Sequence, residues 1–427
     1  MLSLLEDKVN EFRLNRWYNR ELCHLKVLQD RQAVKPVKVG PPCRFALVPC
    51  DPWTFIGSKG DEAMIRAVVG QLRAVNPDLD VLVFTATDMA TKAAECMGFK
   101  ALQIWDDGPA AMTEAVQSFD ADSLAVLGAD CMDGHYSPVT TLSMLAVADL
   151  AARAGVRTTI LGFSFNDSPY PGLKLAFEAI HERVRIHVRD EVSLDRFNKF
   201  CKAQAVLVSD AAFQLIPDNQ ATVIRDLSAW VAHQRDGGRK VVGFNVHPML
   251  LGEPGPGELA KLIDQVALAL EGYLDRVPAA LVLISHDYRA KVGDDVCLKP
   301  LWDRLRTSFE DRVHYDTTVC SAPELKAKAG LMDGVVTGRM HLAIASLGME
   351  VPVAALTYQD KFQGLMRHVD LPQDLLLAPS QLSDPQALLN VLLKFHDGMS
   401  ALSGRVKERM PKVKAASALN VAPLLGG

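Results

Sequence analysis

Long apolar runs are missing from this chain, since none reaches the ~18 uninterrupted residues that a membrane-spanning helix needs. Its eight cysteines (Cys23, Cys43, Cys50, Cys96, Cys131, Cys201, Cys297 and Cys320) are scattered and form no C-x-x-C pair. That spacing excludes a zinc ribbon and points to reduced, structural thiols. The opening MLSLLEDKVNEF carries acids where a secretory leader has basic and then apolar residues, so a cytoplasmic location is expected. Excess positive charge is also absent: 46 Lys and Arg against 51 Asp and Glu give a net charge of −5. A general nucleic-acid binder needs a concentrated basic surface, so that class is excluded and any anion must be met by a few local groups. The sequence offers no metal cluster, and neither a metal nor a cofactor is expected.

What is present is a globular composition, 49% hydrophobic and 23% charged over 427 residues. At about 150 residues per domain this length suits two large domains. Residues 1–40 read as a helical extension, with Leu5, Val9, Phe12, Leu14 and Trp17 at helical spacing. Its polar face is read as solvated, with a membrane or partner contact as the alternative. From Arg44 the pattern changes to short apolar runs separated by helical segments: FALVP (45–49), VLVFTA (81–86), LQIW (102–105), LAVLGA (124–129), TTILGF (158–163), RIHVRD (185–190) and AVLVSD (205–210). Continuous runs suit strands buried on both faces of a parallel sheet. The rhythm breaks at Asp236-Gly237-Gly238-Arg239 and restarts with VVGFNV (241–246), ALVLIS (280–285), GVVTG (334–338) and VPVAAL (351–356). The expectation is an α/β protein with two Rossmann-like domains, 41–235 and 240–396, in a GT-B type arrangement with an interdomain cleft. Residues 397–427 read as a terminal helix that frays.

Two basic signatures stand where a strand gives way to a helix, VRDEVS (188–193) and GRMHLA (338–343). A helix start presents unpaired N–H groups and the positive end of the macrodipole, so Arg189, Arg339 and His341 there predict an anion site. Arg189 has an ion pair with Asp190 or Glu191 as its alternative. Lys361 follows the next strand and is placed in the same site. The loop Asp51–Gly57 leads into Ser58-Lys59-Gly60-Asp61-Glu62, where Asp61 and Glu62 suit either ligand contacts or the favourable acidic first turn of a helix. Asp130, ending the fourth strand, is read as contacting a sugar hydroxyl or as a strand terminus, and His135 and Tyr136 follow in its loop. His286 in Ser285-His286-Asp287-Tyr288, with Asp294-Asp295 downstream, is a candidate for proton transfer or a loop histidine. His247 also reaches a strand's carboxyl end.

VRDEVS resembles a signature of polysaccharide pyruvyl transferases, and GRMHLAIASLGMEVPVAALTYQDKFQGLM resembles that family's most recognisable block through Gly348, Pro352, Tyr358, Lys361 and Gly364. The family's Asn-x-Gly-Asp-Glu motif is similar to SKGDE, with Ser58 in place of Asn. Gly128-Ala129-Asp130 stands where the family has glycines. Ser209-Asp210-Ala211-Ala212-Phe213 resembles an Asp-Pro-Ala-Phe turn, read as architectural, and the His286 segment resembles one facing the donor. The resemblance covers most of residues 44–370. It implies transfer of pyruvate from phosphoenolpyruvate to a sugar or a lipid-linked oligosaccharide, forming a ketal and releasing phosphate. It further implies that Arg189 and Arg339 face one cleft, that Arg189, Arg339, Lys361, Tyr358, Ser58, Asp61, Glu62 and Asp130 bind substrates, and that His341, or else His286, is the acid. Peripheral association with polysaccharide assembly machinery is a further expectation. The alternatives are a nucleotide-sugar glycosyltransferase or epimerase on the same scaffold, and a non-catalytic sugar- or anion-binding component.

Overall fold

The computed structural model describes residues 2–252, 255–289, 293–357, 361–382 and 384–426, with the side chains of 2–14 and of Lys361 outside the description. Its contacts divide the chain into two units. The first comprises Met1–Phe55, Val68–Ala211 and Ala418–Gly427; the second comprises Ile56–Ala67 and Ala212–Ser417. The turn at Gly237-Gly238 therefore lies inside the second unit, between the helix Thr222–Asp236 and the strand that starts at Lys240.

In the first unit the strands are β1 (Arg44–Val48), β2 (Asp80–Phe84), β3 (Lys100–Leu102), β4 (Ser123–Val126), β5 (Arg157–Phe163), β6 (Val184–Val188) and β7 (Ala205–Leu207). They form one parallel sheet in the order β3-β2-β1-β4-β5-β6-β7. The central strands β4 and β5 are buried at every position, which is why they read as unbroken apolar runs. The edge strands β3 and β7 are partly exposed and short.

The second unit repeats the topology with β8 (Lys240–Asn245), β9 (Ala279–Leu283), β10 (Val313–Tyr315), β11 (Gly334–Thr337), β12 (Val353–Leu356) and β13 (Leu376–Leu377), in the order β10-β9-β8-β11-β12-β13. Within this sheet that is the doubly wound order 3-2-1-4-5-6, with its switch point between β8 and β11. Sequence patterning does not anticipate β10 and β13. They are three- and two-residue strands at the sheet's edges, too short to carry a period.

Helix α1 (Leu2–Arg31) is the predicted extension, but the residues it buries among those described are Tyr18, Leu22 and Leu25, while Trp17 is 47% exposed. The Tyr170 hydroxyl reaches back to Asn15, and Gln29 donates to Asp149 at 2.9 Å. At the other end the helix Pro385–Ala418 is packed along its length, with Phe395, Met399, Val406, Met410 and Val413 buried. Its start lies at Pro385, ahead of the expected 397. Asn420 beyond it accepts from Gly162 N and donates to Ser209 O, both at 2.8 Å, tying the last segment into the first sheet. None of the described helices is long and apolar enough to cross a membrane.

Candidate functional site

The second unit gathers its chemistry at the carboxyl ends of β8, β9 and β11, where an open α/β sheet leaves a crevice. Asn245 closes β8 and binds the three strand ends together. Its amide donates to Ile284 O (2.9 Å) and to Asp294 Oδ2 (2.7 Å), and its oxygen accepts from Thr337 Oγ1 at 3.1 Å. Asp294 is fully buried yet well satisfied: Oδ2 also accepts from His286 N (2.8 Å) and Asp287 N (3.2 Å). Its other oxygen takes both Nε (2.9 Å) and Nη2 (2.7 Å) of Arg339.

Arg339 is the N-cap residue of the helix Met340–Gly348, so its side chain starts from the helix mouth. Besides Asp294, its Nη2 lies 3.3 Å from Asp287 Oδ2, and Nη1 lies 3.7 Å from Met249 Sδ, a weak acceptor. Burial would raise the Asp287 carboxyl, but hydrogen bonds from Arg289 and the nearby Arg339 charge hold it below the usual range. For Asp294 burial outweighs the Arg339 charge and the hydrogen bonds from His286 N, Arg339 and Asn245, and pushes the carboxyl up. His247 is completely buried, with Nε2 3.0 Å from Gly338 O. Burial and then the Arg339 charge lower it to about 3.

One residue on from that cap, Met340 begins the helix, and His341 follows in its first turn. Its ring lies directly on the backbone of Gly60, the second residue of α2 (Lys59–Val75). A methyl group at Gly60 would fall 2.2 Å from His341 Nδ1 and 2.6 Å from Cγ. Gly60 is thus required by a close approach rather than by a turn. Ser58 Oγ accepts from Gly60 N at 3.2 Å, and Ser58 forms an isolated antiparallel bridge with Asp287. These contacts set the start of α2 beside the end of β9. A small cavity there is lined by Lys59, His286, Leu325, Lys326, His341 and Ala345, among others. His286 is 5% exposed; burial first, then His341, Arg339 and Lys59, hold it well below its ordinary value, so it is a neutral ring near pH 7.

Not every residue predicted for the site lies in this cavity wall. Glu62 is buried and accepts from Lys59 Nζ (2.8 Å) and Arg66 Nε (2.7 Å), so its carboxylate is engaged by two cations. Asp61 is buried in the same first turn. Tyr358 lies outside the described residues, and Lys361 opens the helix Lys361–His368 with its side chain outside them. Arg189 and Asp130 belong to the first unit. The Arg189 guanidinium is buried, donating to Asp210 Oδ2 and Ser164 Oγ at 2.8 Å each. Its ion-pair partner is thus supplied by the SDAAF turn, while Asp190 caps the following helix through Ser193 N. Asp130 accepts from Tyr136 OH at 3.2 Å, and Ala129 before it holds φ +45°, a region that favours glycine.

Asn245, Lys59 and Lys326 as walls of the cavity, and Gly60 as the seat of an imidazole escape a reading of the sequence. Asn245 carries a signal, a polar residue closing a buried apolar strand at the carboxyl end of the sheet, where open α/β sheets bind ligands.

Comparison with known proteins bears on both sheets. A family model described as polysaccharide pyruvyl transferase matches residues 59–360. No curated protein sequence matches the chain. Among solved structures, UDP-GlcNAc 2-epimerase from Neisseria meningitidis bound to UDP-GlcNAc is similar at a TM-score of 0.57 and 12% identity, over 90% of this chain and 100% of that one. MnaA of S. aureus with UDP gives 0.55 and 13%, over 86% and 91%. A glycosyltransferase from Rickettsia africae gives 0.50 and 10%, over 90% and 95%. At these identities the likeness is one of fold: two Rossmann-like sheets in one chain, the GT-B class of α/β protein.

Proposed function

The chain belongs to the polysaccharide pyruvyl transferase family, and from that premise we propose that it transfers pyruvate from phosphoenolpyruvate to a sugar of a polysaccharide or its precursor. The observation that carries this reading is the packing of the GRMH block. Arg339, the start of the helix Met340–Gly348, His341 and the neutral His286 converge on one end of the second sheet, beside the first turn of α2. A small donor bearing a phosphate and a carboxylate needs directional cations and N–H groups in fixed positions, which this end of the sheet supplies.

In the proposed reaction His341 delivers a proton to the methylene carbon of phosphoenolpyruvate, leaving the adjacent carbon electron-poor. A sugar hydroxyl adds there, its proton passing to His341, which has just given its own to the methylene carbon. The carbon–oxygen bond to phosphate then breaks, with the leaving phosphate stabilised by Arg339, Lys361 and the helix start. A second hydroxyl of the sugar closes the ketal. The two hydroxyl protons are balanced by the one gained at the methyl group and the one carried off by phosphate. Ser58, Asp61, Asp130 and Tyr358 are proposed to support substrate binding, while the buried Arg189–Asp210 pair and Glu62 hold the structure around it.

The test is incubation with phosphoenolpyruvate and a panel of acceptor glycans while following phosphate release and the new ketal by mass. Acceptor-dependent release is expected. Turnover of a nucleotide sugar in its place would move the protein to the epimerase or glycosyltransferase reading, and binding without turnover of either would make it a sugar- or anion-binding component.

A further inference from the structure

The residue of SKGDE that reaches the cavity through its cation is Lys59. It stands in the wall with His286 and His341, and its side chain is only 12% exposed. The ammonium donates to Glu62 Oε2 at 2.8 Å, and Tyr288 presents its ring 5.9 Å away. An ammonium has three N–H donors, and among the described residues Glu62 accepts one of them, which leaves donors for a ligand. Its charge is not cancelled by that pair, because the same carboxylate also serves Arg66 at 2.7 Å. Asp61 in the same turn brings the local charges close to balance, so what Lys59 offers a ligand is its remaining N–H donors beside the positive end of the helix dipole. The Lys59 charge is felt across the cavity, being one of the influences holding His286 neutral.

We propose that Lys59 is a further donor-binding residue, its ammonium meeting an anionic oxygen of phosphoenolpyruvate at this end of the second sheet, where it stands beside His286 and His341. This rests on the reaction proposed above and adds to it a cation supplied by the first turn of α2. Glu62 then acts as a positioning residue, holding the flexible lysine stem in one direction.

Lys59→Met keeps the length of the stem and leaves Glu62 Oε1 paired to Arg66, and thermal unfolding of the variant reads the cost of the lost Oε2 contact apart from ligand binding. In steady-state phosphate release the donor concentration at half-saturation should rise by about 10- to 100-fold, the usual weight of a charge-assisted hydrogen bond, with a much smaller effect on turnover at saturation. Lys59→Arg should recover part of the loss. Calorimetric titration with inorganic phosphate, which needs no turnover, should show the same order: wild type, then Lys59→Arg, then Lys59→Met. Phosphate affinity that is equal in wild type and Lys59→Met, or absent from both, overturns the assignment of Lys59. If Lys59→Met is silent in both assays while Arg339→Lys weakens donor use, Lys59 falls and the pyruvyl-transfer reading stands. If wild type binds phosphate through Lys59 but never turns over phosphoenolpyruvate, the reverse holds.

Discussion

Gly60→Ala is the sharpest perturbation of the proposed site, because it adds one methyl group at a place where the structure has no room for it. The new carbon would lie 2.2 Å from His341 Nδ1 and 2.8 Å from its Cε1. Ordinary contact begins near 3.4 Å, so the ring must retreat by about 1.2 Å, the difference between the two distances. The obstructed group is the end of a side chain with two rotatable bonds, so the ring can swing aside and the backbone need not move. Alanine in an early helical position is at least as favourable as glycine, by up to about 1 kcal/mol in helix interiors. Stability should therefore stay level or rise. Catalysis should not: a displacement of about 1 Å from reactive geometry costs on the order of 10²-fold, or about 2.7 kcal/mol of barrier. Phosphate release at saturating phosphoenolpyruvate, measured beside thermal unfolding of both proteins, reads the two effects separately. Wild-type turnover in a variant of wild-type stability would refute the idea that His341 works from its seat on Gly60. A fall in activity matched by a collapse of the melting temperature would refute the claim that only the ring moves.

His341→Gln keeps hydrogen-bonding capacity but removes the imidazole, so saturated turnover should drop by roughly 10²–10⁴-fold with donor affinity largely kept; a rise in half-saturating donor alone would give the histidine a binding role instead. Arg339→Lys retains a charge beside Asp294 but cannot reproduce the paired Nε and Nη2 contacts, and donor affinity in direct titration should weaken by about tenfold. The depressed His247, held at about 3 from an ordinary 6.5, binds a proton in the unfolded chain before it does in the folded one. Its contribution to stability is complete above pH 6.5 and is lost on acidification toward its folded value. Urea unfolding should accordingly weaken by up to about 1.4 kcal/mol per pH unit between pH 6 and 4 on its account, with a shallower slope in His247→Asn. Arg189→Lys leaves the buried Asp210 with poorer geometry and should lower stability by about 1–3 kcal/mol in the same assay.

Much of the architecture was legible because central parallel strands are buried on both faces and so must be apolar throughout. β1, β4, β5, β8, β9, β11 and β12 each correspond to such a run. The edge strands carry less of that signal: β10 and β13 need only a few residues that happen to extend a sheet already formed. The terminal helix shows a related limit. Its Lys, Ala and Ser content suggests fraying, yet burial of Met410 and Val413 depends on surfaces assembled from distant segments.

The site divides along the same line. Local sequence determined what chemistry could stand at each strand end, because a strand-to-helix turn places Arg339 and His341 at a helix mouth wherever it occurs, and the GRMH block carries its family likeness in contiguous residues. Which groups meet was decided by tertiary structure alone. Gly60 and His341 are 281 residues apart, and neither side's sequence marks the other. Asp294 looks like one of two loop acids until folding puts it under Arg339, Asn245 and two backbone amides. Lys59 looks like a solvated charge until α2 begins against the end of β9. The physical reason is that residue type and helix or strand period are local quantities, whereas desolvation, close contact and the neutrality of His286 arise only when separate chain segments exclude water together.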